Sequence, residues 1–172
     1  MKKQSMKRCD FTSLVVILFI SLIFVNVQIY AGDSGKARSK KDFCDSWKFH
    51  LGDVAKGQDI NCDDASWRIL NLPHDWSIEG DFDRDNPSGV GGGALPGGIG
   101  WYRKSFTIDE SEKNKLFFID FDGVYRNSEV WINGHYLGKR PYGYSSFRYE
   151  LTPYLNFGNK ENIIAVKVDN SE

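Results

Sequence analysis

Pro73-His-Asp-Trp-Ser-Ile-Glu79 sets an imidazole, a carboxylate and an indole side by side. The group follows a strand-like run, Trp67–Leu72, which places its polar atoms and its ring at the end of a sheet. A sugar requires that combination: a carboxylate to accept from hydroxyl groups, and a ring to lie against the carbon face. The alternative is structural, with Trp76 plugging a core and Asp75 capping a turn. A few residues on, Asp81-Phe-Asp-Arg-Asp-Asn86 begins like a helix–loop–helix calcium loop. That pattern needs Gly at its sixth position and Glu at its twelfth. Here those positions hold Asn86 and Gly92, and the match fails. Asp83, Asp85 and Asn86 remain as polar groups that could face a ligand, against the plainer reading of a solvated acidic turn.

Other chemistries find less support. The glycines between Gly89 and Gly100 lack both the Lys-Ser/Thr ending of a phosphate loop and the third Gly of a dinucleotide fingerprint. Backbone flexibility or close approach to another segment is the better use for them. Gly143-Tyr-Ser-Ser-Phe147 lacks the closing Gly of a nucleophile elbow. His50, His74 and His135 are scattered without metal-ligand spacing. No cofactor is implied. Glycoside hydrolysis uses two carboxyl groups about 5–9.5 Å apart. Asp75, Glu79, Asp81 and Asp83 qualify by number alone, and nothing marks one of them as a raised-pKa acid. The chain alone is therefore expected to be inactive.

The elements that must position these residues are short strands. Trp47-Lys-Phe-His-Leu51 alternates apolar and polar positions, as does the run from Trp101 to Ile108. Leu116–Phe121 is apolar enough for a central strand. Glu129–Ile132 and His135–Leu137 flank Asn133-Gly134, the strongest short hairpin signal, because a type I′ turn needs positive φ at both central residues. Trp131 is expected to be buried. Phe147–Leu151 and Asn162–Val168 alternate again, and between them Thr152-Pro153 reads as an N-cap and first turn for one helical turn over Pro153–Leu155. His74–Gly100 has no periodicity. A loop of that length is usually functional or disordered, and Trp76, Ile78, Phe82 and Leu95 argue against disorder. Some eight short strands with no long helical pattern predict an all-β, jelly-roll sandwich.

Of the 172 residues, the first 31 read as a signal peptide. Lys2, Lys3, Lys7 and Arg8 form a basic start, and Leu14–Val25 is apolar except for Ser21. An uncleaved anchor is the alternative. Residues 32–42 read as a polar linker and 43–172 as the domain. The leader implies a secreted or periplasmic protein with no membrane attachment after cleavage. Of 22 basic and 23 acidic side chains, four and one lie in the leader, leaving 18 and 22 and a formal charge of −4. That is no footprint for nucleic acid, which selects a basic face. Cys44 and Cys62 remain, either as one disulfide or as two free thiols.

Taken together, a series of motifs resembles the N-terminal sugar-binding domain of glycoside hydrolase family 2, most closely its β-galactosidase members. In order these are Leu72-Pro-His-Asp-Trp-Ser-Ile-Glu-Gly80, Gly100-Trp-Tyr-Arg-Lys-Ser-Phe106, Phe121-Asp-Gly-Val-Tyr125 and Val130-Trp-Ile-Asn-Gly-His135. Tyr142-Gly-Tyr-Ser-Ser-Phe147, Leu151-Thr-Pro-Tyr-Leu155 and Ala165-Val-Lys-Val-Asp-Asn170 complete the series. The resemblance implies a jelly-roll domain, truncated before its closing strand, whose missing partner is a catalytic barrel carrying two glutamates. It implies a β-galactoside or related glycan as the ligand of the complete enzyme. It also implies that the loop from Asp75 to Asn86 lends polar residues to the sugar site, with Asp83–Asn86 as the best mapping. A standalone carbohydrate-binding module, or a domain that docks on a separately encoded barrel, are the alternatives. An open sandwich edge would make the isolated chain prone to aggregate.

Overall fold

The computed structural model describes residues 38–171. The expected leader and residues 32–37 of the expected linker lie outside them. A compact unit begins at Asp42. It contains eight strands: β1 (Trp47–Leu51), β2 (Arg68–Leu70), β3 (Ile99–Phe106), β4 (Phe118–Phe121), β5 (Ser128–Ile132), β6 (His135–Arg140), β7 (Phe147–Glu150) and β8 (Asn162–Asp169). One sheet has the order β2-β1-β3-β8-β5-β6, and β4 and β7 form the second. All pairings are antiparallel. The all-β sandwich expected from the alternation is therefore present, and every helical element is a single 3-10 turn among the described residues.

Alternation sets the core. Trp47 and Phe49 of β1, Tyr102 of β3, Val130 and Ile132 of β5, and Ile164, Val166 and Val168 of β8 point to one side of the large sheet. They pack against Ile119, Phe147 and Leu151 from the second layer. The Asn133-Gly134 turn has φ of 49° and 78°, as the two-residue hairpin between Ile132 and His135 requires. A bulge follows in the same hairpin, between Val130 and Trp131. Trp131 itself is half-buried rather than buried, because it sits on the outer face of the sheet, stacked on Trp101. The expected helical turn is a 3-10 turn at Thr152–Tyr154, and Thr152 does not cap it. Its hydroxyl accepts from the Phe117 N–H at 2.8 Å instead, because it lies beside the start of β4.

The outer face of β3 departs from the alternation. Arg103 is 1% exposed where a half-buried strand would turn it to water. The loop between β1 and β2 covers it. Its Nε donates to Asp64 at 2.8 Å, and its Nη1 donates to the carbonyls of Gly57 and Asp59 at 2.5 and 3.0 Å. Lys48 completes the group by reaching Asp64 at 2.5 Å. Burial opposes the charge on Asp64, but the hydrogen bonds and charges of Lys48 and Arg103 prevail and hold its carboxyl below the usual Asp range. A carboxyl that titrates lower when folded stabilises the fold fully above the ordinary value of 3.8 and loses that contribution as pH falls through its folded pKa. Urea midpoints should accordingly drop as pH falls below about 5 and through the folded pKa, and Asp64→Asn should flatten that drop.

Cys44 and Cys62, the two cysteines among the described residues, are both free. Cys62 belongs to the same loop and packs against Trp67 and Trp101, where burial raises its thiol pKa. Cys44 is exposed, and its hydrogen bond with Asp42 raises its thiol pKa.

Candidate functional site

The strand order brings several loops to one end of the sandwich. β3 starts and β8 stops there, with Ile99 opposite Asp169. β5 starts and β6 stops there, with Ser128 opposite Arg140, and Phe121 meets Phe147. The long segment leading into β3, the β4–β5 loop and the β6–β7 loop therefore share this end.

The segment from His74 to Gly98 is ordered by its own backbone and side chains. Two 3-10 turns, Ser77–Glu79 and Val90–Gly92, break it up. The Asp83 N–H donates to the Ala94 carbonyl at 3.0 Å, and the Ala94 N–H to that of Gly89 at 2.7 Å. The Ser88 hydroxyl closes the neck by donating to the Leu95 carbonyl at 2.8 Å. Asn170 fixes the base of the loop to the sheet. Its Oδ1 accepts from the Gly98 N–H at 2.8 Å, and its Nδ2 donates to Ser77 Oγ at 3.3 Å.

The five candidate residues separate into two groups. Trp76 is in the core, stacked on Phe49 with ring centroids 5.8 Å apart, and its six-membered ring fills the space over Gly100. No ring face is left for a sugar. Asp75 is exposed, and its Oδ1 accepts from the Ser77 N–H at 2.9 Å. These two residues follow the structural alternative: one plugs the sandwich and the other caps a turn. Asp83, Asp85 and Asn86 lie together on an outer turn of the loop. Asp83 Oδ1 accepts from the Asp85 N–H at 3.0 Å. The Asn86 amide donates to the carbonyls of Asp81 and Ala94 at 3.1 and 2.8 Å, tying the two limbs together. Its Nδ2 is thus occupied by the loop, while Asp83 and Asp85 are exposed.

His74 anchors the start of the segment. Its Nδ1 lies 2.7 Å from Tyr102 Oη and its Nε2 lies 2.7 Å from Arg68 Nη2. The same Nε2 lies 3.2 Å from Glu79 Oε1, so a donor and an acceptor meet at one ring nitrogen and His74 joins Arg68, Glu79 and Tyr102 in one polar group. Arg68 also grips Glu79 at 2.8 Å, and that hydrogen bond lowers the Glu79 carboxyl pKa. Burial pushes the Tyr102 phenol well above its ordinary range. Among the described residues no group of three His, Cys, Asp or Glu is arranged to hold a metal ion.

The sequence did not single out Asn170, Ser88 or Arg68 as organisers of this loop. Only Asn170 carried a signal, since a side-chain amide directly after a strand can satisfy the backbone of a neighbouring loop.

Residues 93–171 match the model of "Glycosyl hydrolases family 2, sugar binding domain". Over 135 residues, 78% of this chain, the sequence is 58% identical to the β-galactosidase BoGH2A of Bacteroides ovatus, and covers 16% of that protein. It is 40% identical over 139 residues to a β-glucuronidase of Formosa agariphila, covering 77% of this chain and 14% of that protein. The crystal structure of a β-glycosidase from Bacteroides vulgatus superposes with a TM-score of 0.72 at 60% identity, covering 76% of this chain and 17% of that one. The chain thus spans a small fraction of the length of the relatives it matches, and the family 2 sugar-binding match, residues 93–171, covers a little under half of the chain.

Proposed function

We infer, from a chain that carries the sugar-binding domain of glycosyl hydrolases family 2, that it serves as the non-catalytic front part of a β-galactosidase-like glycoside hydrolase. The reaction belongs to a catalytic barrel outside this sequence, and the ligand is a β-galactoside or related glycan. The similarity to the Bacteroides ovatus β-galactosidase, 58% over 135 residues, carries this reading. The β-glucuronidases among the relatives widen the sugar class to include uronic acids. The loop supports the same reading, because it holds Asp83 and Asp85 at one end of a rigid sandwich, where a neighbouring domain could complete a sugar site. The basic start and apolar run of the first 31 residues support export, to the periplasm or beyond.

A chimera tests the proposal. Residues 43–171 replace the matching stretch of the Bacteroides ovatus enzyme, and release of nitrophenol from an aryl β-galactoside is followed. The chimera should turn over substrate, and the 172-residue chain alone should not. Asp83→Asn and Asp85→Asn keep the size of each side chain, and the more important of the two should lower kcat/KM about tenfold or more. Turnover by the chain alone, abolished by Asp75→Ala, would sink the non-catalytic reading. An inactive chimera that folds would sink the family 2 role. An active chimera indifferent to both Asp→Asn changes would move the site away from this loop.

A further inference from the structure

Three tyrosines crowd the same end of the sandwich, on loops that the reading above leaves unused. Tyr125 lies in the β4–β5 loop, and Tyr142 and Tyr144 lie in the β6–β7 loop. They are 50%, 63% and 77% exposed. Tyr125 and Tyr144 have centroids 5.3 Å apart, and Tyr142 and Tyr144 are 5.8 Å apart. In a small domain, apolar rings that gather at the surface instead of dispersing mark a binding site.

The two loops hold these rings firmly. Gly143 is buried between them, and a Cβ there would stand 2.5 Å from Tyr125 Cδ2 and 2.8 Å from its Cα. A Cβ on Gly123 would stand 3.0 Å from the Gly143 carbonyl oxygen. The Asn127 N–H donates to the Pro141 carbonyl at 3.3 Å, and its side chain donates to the Asp169 carbonyl at 3.2 Å. The Arg126 guanidinium lies 5.9 Å from the centre of the Tyr125 ring, and Arg126 Nε is buried with no protein partner. The loop backbones that carry the rings are therefore set before any ligand arrives, which reduces the ordering cost of binding.

We propose that Tyr125, Tyr142 and Tyr144 form a stacking platform for successive sugars of a β-linked oligosaccharide. The chemistry of the rings selects this occupant. All three are tyrosines, so each offers an apolar face with a hydroxyl at its rim, suited to a ligand that alternates carbon faces with hydroxyl edges. The planes meet at 57° and 63°, too steep for one flat surface. A pyranose can rest on one ring while its edge meets the next, and the Arg126 guanidinium beside Tyr125 adds positive charge to the cluster. Continuity with the loop above supports the assignment. The Asp169 N–H donates to the Arg126 carbonyl at 3.0 Å, and the next residue, Asn170, holds Gly98 and Ser77. The β4–β5 loop and the base of the long segment, at Ser77 and Gly98, are thus fixed to the same two residues. The inference rests on the sugar-binding reading and extends it to an oligosaccharide site built from this chain's own rings.

Calorimetric titration of the full 172-residue chain with β-1,4-galactotetraose and with galactose tests it. The tetrasaccharide should bind and galactose should give no measurable heat, since one sugar covers only one ring. Tyr144→Ala should weaken tetrasaccharide binding about tenfold or more, while Tyr144→Phe should keep most of it. The ring is exposed, so both variants should unfold at the wild-type temperature. Absence of binding at millimolar tetrasaccharide by a folded wild-type chain would overturn the platform. So would binding unchanged in Tyr144→Ala and Tyr142→Ala. A surface reserved for a protein partner would show itself if these variants impaired the chimera while the chain bound no sugar, and that result also overturns the proposal. The chimera's activity on a small aryl glycoside is a separate readout, so the platform can fail while the family 2 role stands, and the reverse.

Discussion

Arg103→Met should remove about 3 kcal/mol or more from the unfolding free energy, read as a shift in the urea midpoint. The Met side chain fills much of the same space, so the loss is one of partners rather than volume. Arg103 is 1% exposed, and its removal leaves the Gly57 and Asp59 carbonyls without their donor. Each unsatisfied buried acceptor costs about 1–3 kcal/mol. Asp64 keeps Lys48 at 2.5 Å, so it is not stranded, and Asp64→Asn should cost less than Arg103→Met. The covering loop should also loosen over Trp101, whose Nε1 donates to Asp53 at 3.1 Å. Tryptophan emission of the variant should then shift to longer wavelength before global unfolding. A midpoint shift worth less than about 1 kcal/mol would show that the loop is held by other contacts.

Asn162→Ala should be nearly as costly, again about 3 kcal/mol. Asn162 has no exposed surface, and its side chain makes three hydrogen bonds to two residues, Asn156 and Asn133. Oδ1 accepts from the Asn156 N–H at 2.7 Å and from Asn133 Nδ2 at 2.9 Å, and Nδ2 donates to the Asn156 carbonyl at 2.9 Å. Alanine leaves these groups unpaired inside the protein. Asn133 meanwhile occupies the positive-φ hairpin position, and its Oδ1 accepts from the Ile163 N–H at 2.8 Å. The two amides form one network, so a double-mutant cycle of Asn133→Ala with Asn162→Ala should return a coupling well above about 0.5 kcal/mol. Additive effects would mean that each residue serves its own loop independently.

These two residues also show what the sequence could reveal. The hairpin was legible because its determinants are adjacent: two turn residues that tolerate positive φ, between runs of alternating polarity. Trp47 and Phe49 were legible for the same local reason. Arg103 was not, since alternation turned it outward and the loop that covers it comes from 39 or more positions earlier in the chain. Trp76 was ambiguous because the residues around it do not say whether a ring at a strand end turns in or out; Gly100, which leaves room for it, lies across the sheet. The acidic turn was visible as a composition. That Asn86 spends its amide on the Asp81 and Ala94 carbonyls, leaving Asp83 and Asp85 as the outward groups, depended on how the glycine-rich limb folds back. The tyrosines of the β4–β5 loop and the β6–β7 loop lie 17 positions or more apart, and the pairings of Phe121 with Phe147 and of Ser128 with Arg140 bring them together.

The end of β8 has a mechanical consequence. Asp169 and Asn170 are fastened on one side to Arg126 and Asn127 and on the other to Gly98 and Ser77. A pull on the chain where it leaves β8 therefore divides between both loops before it reaches the sheet. The hydrogen bonds at this junction lie in the load path, and they would yield before the eight-residue ladder between β3 and β8. Tension or twist applied at that exit is therefore passed to the base of the long segment and to the β4–β5 loop through the same two residues.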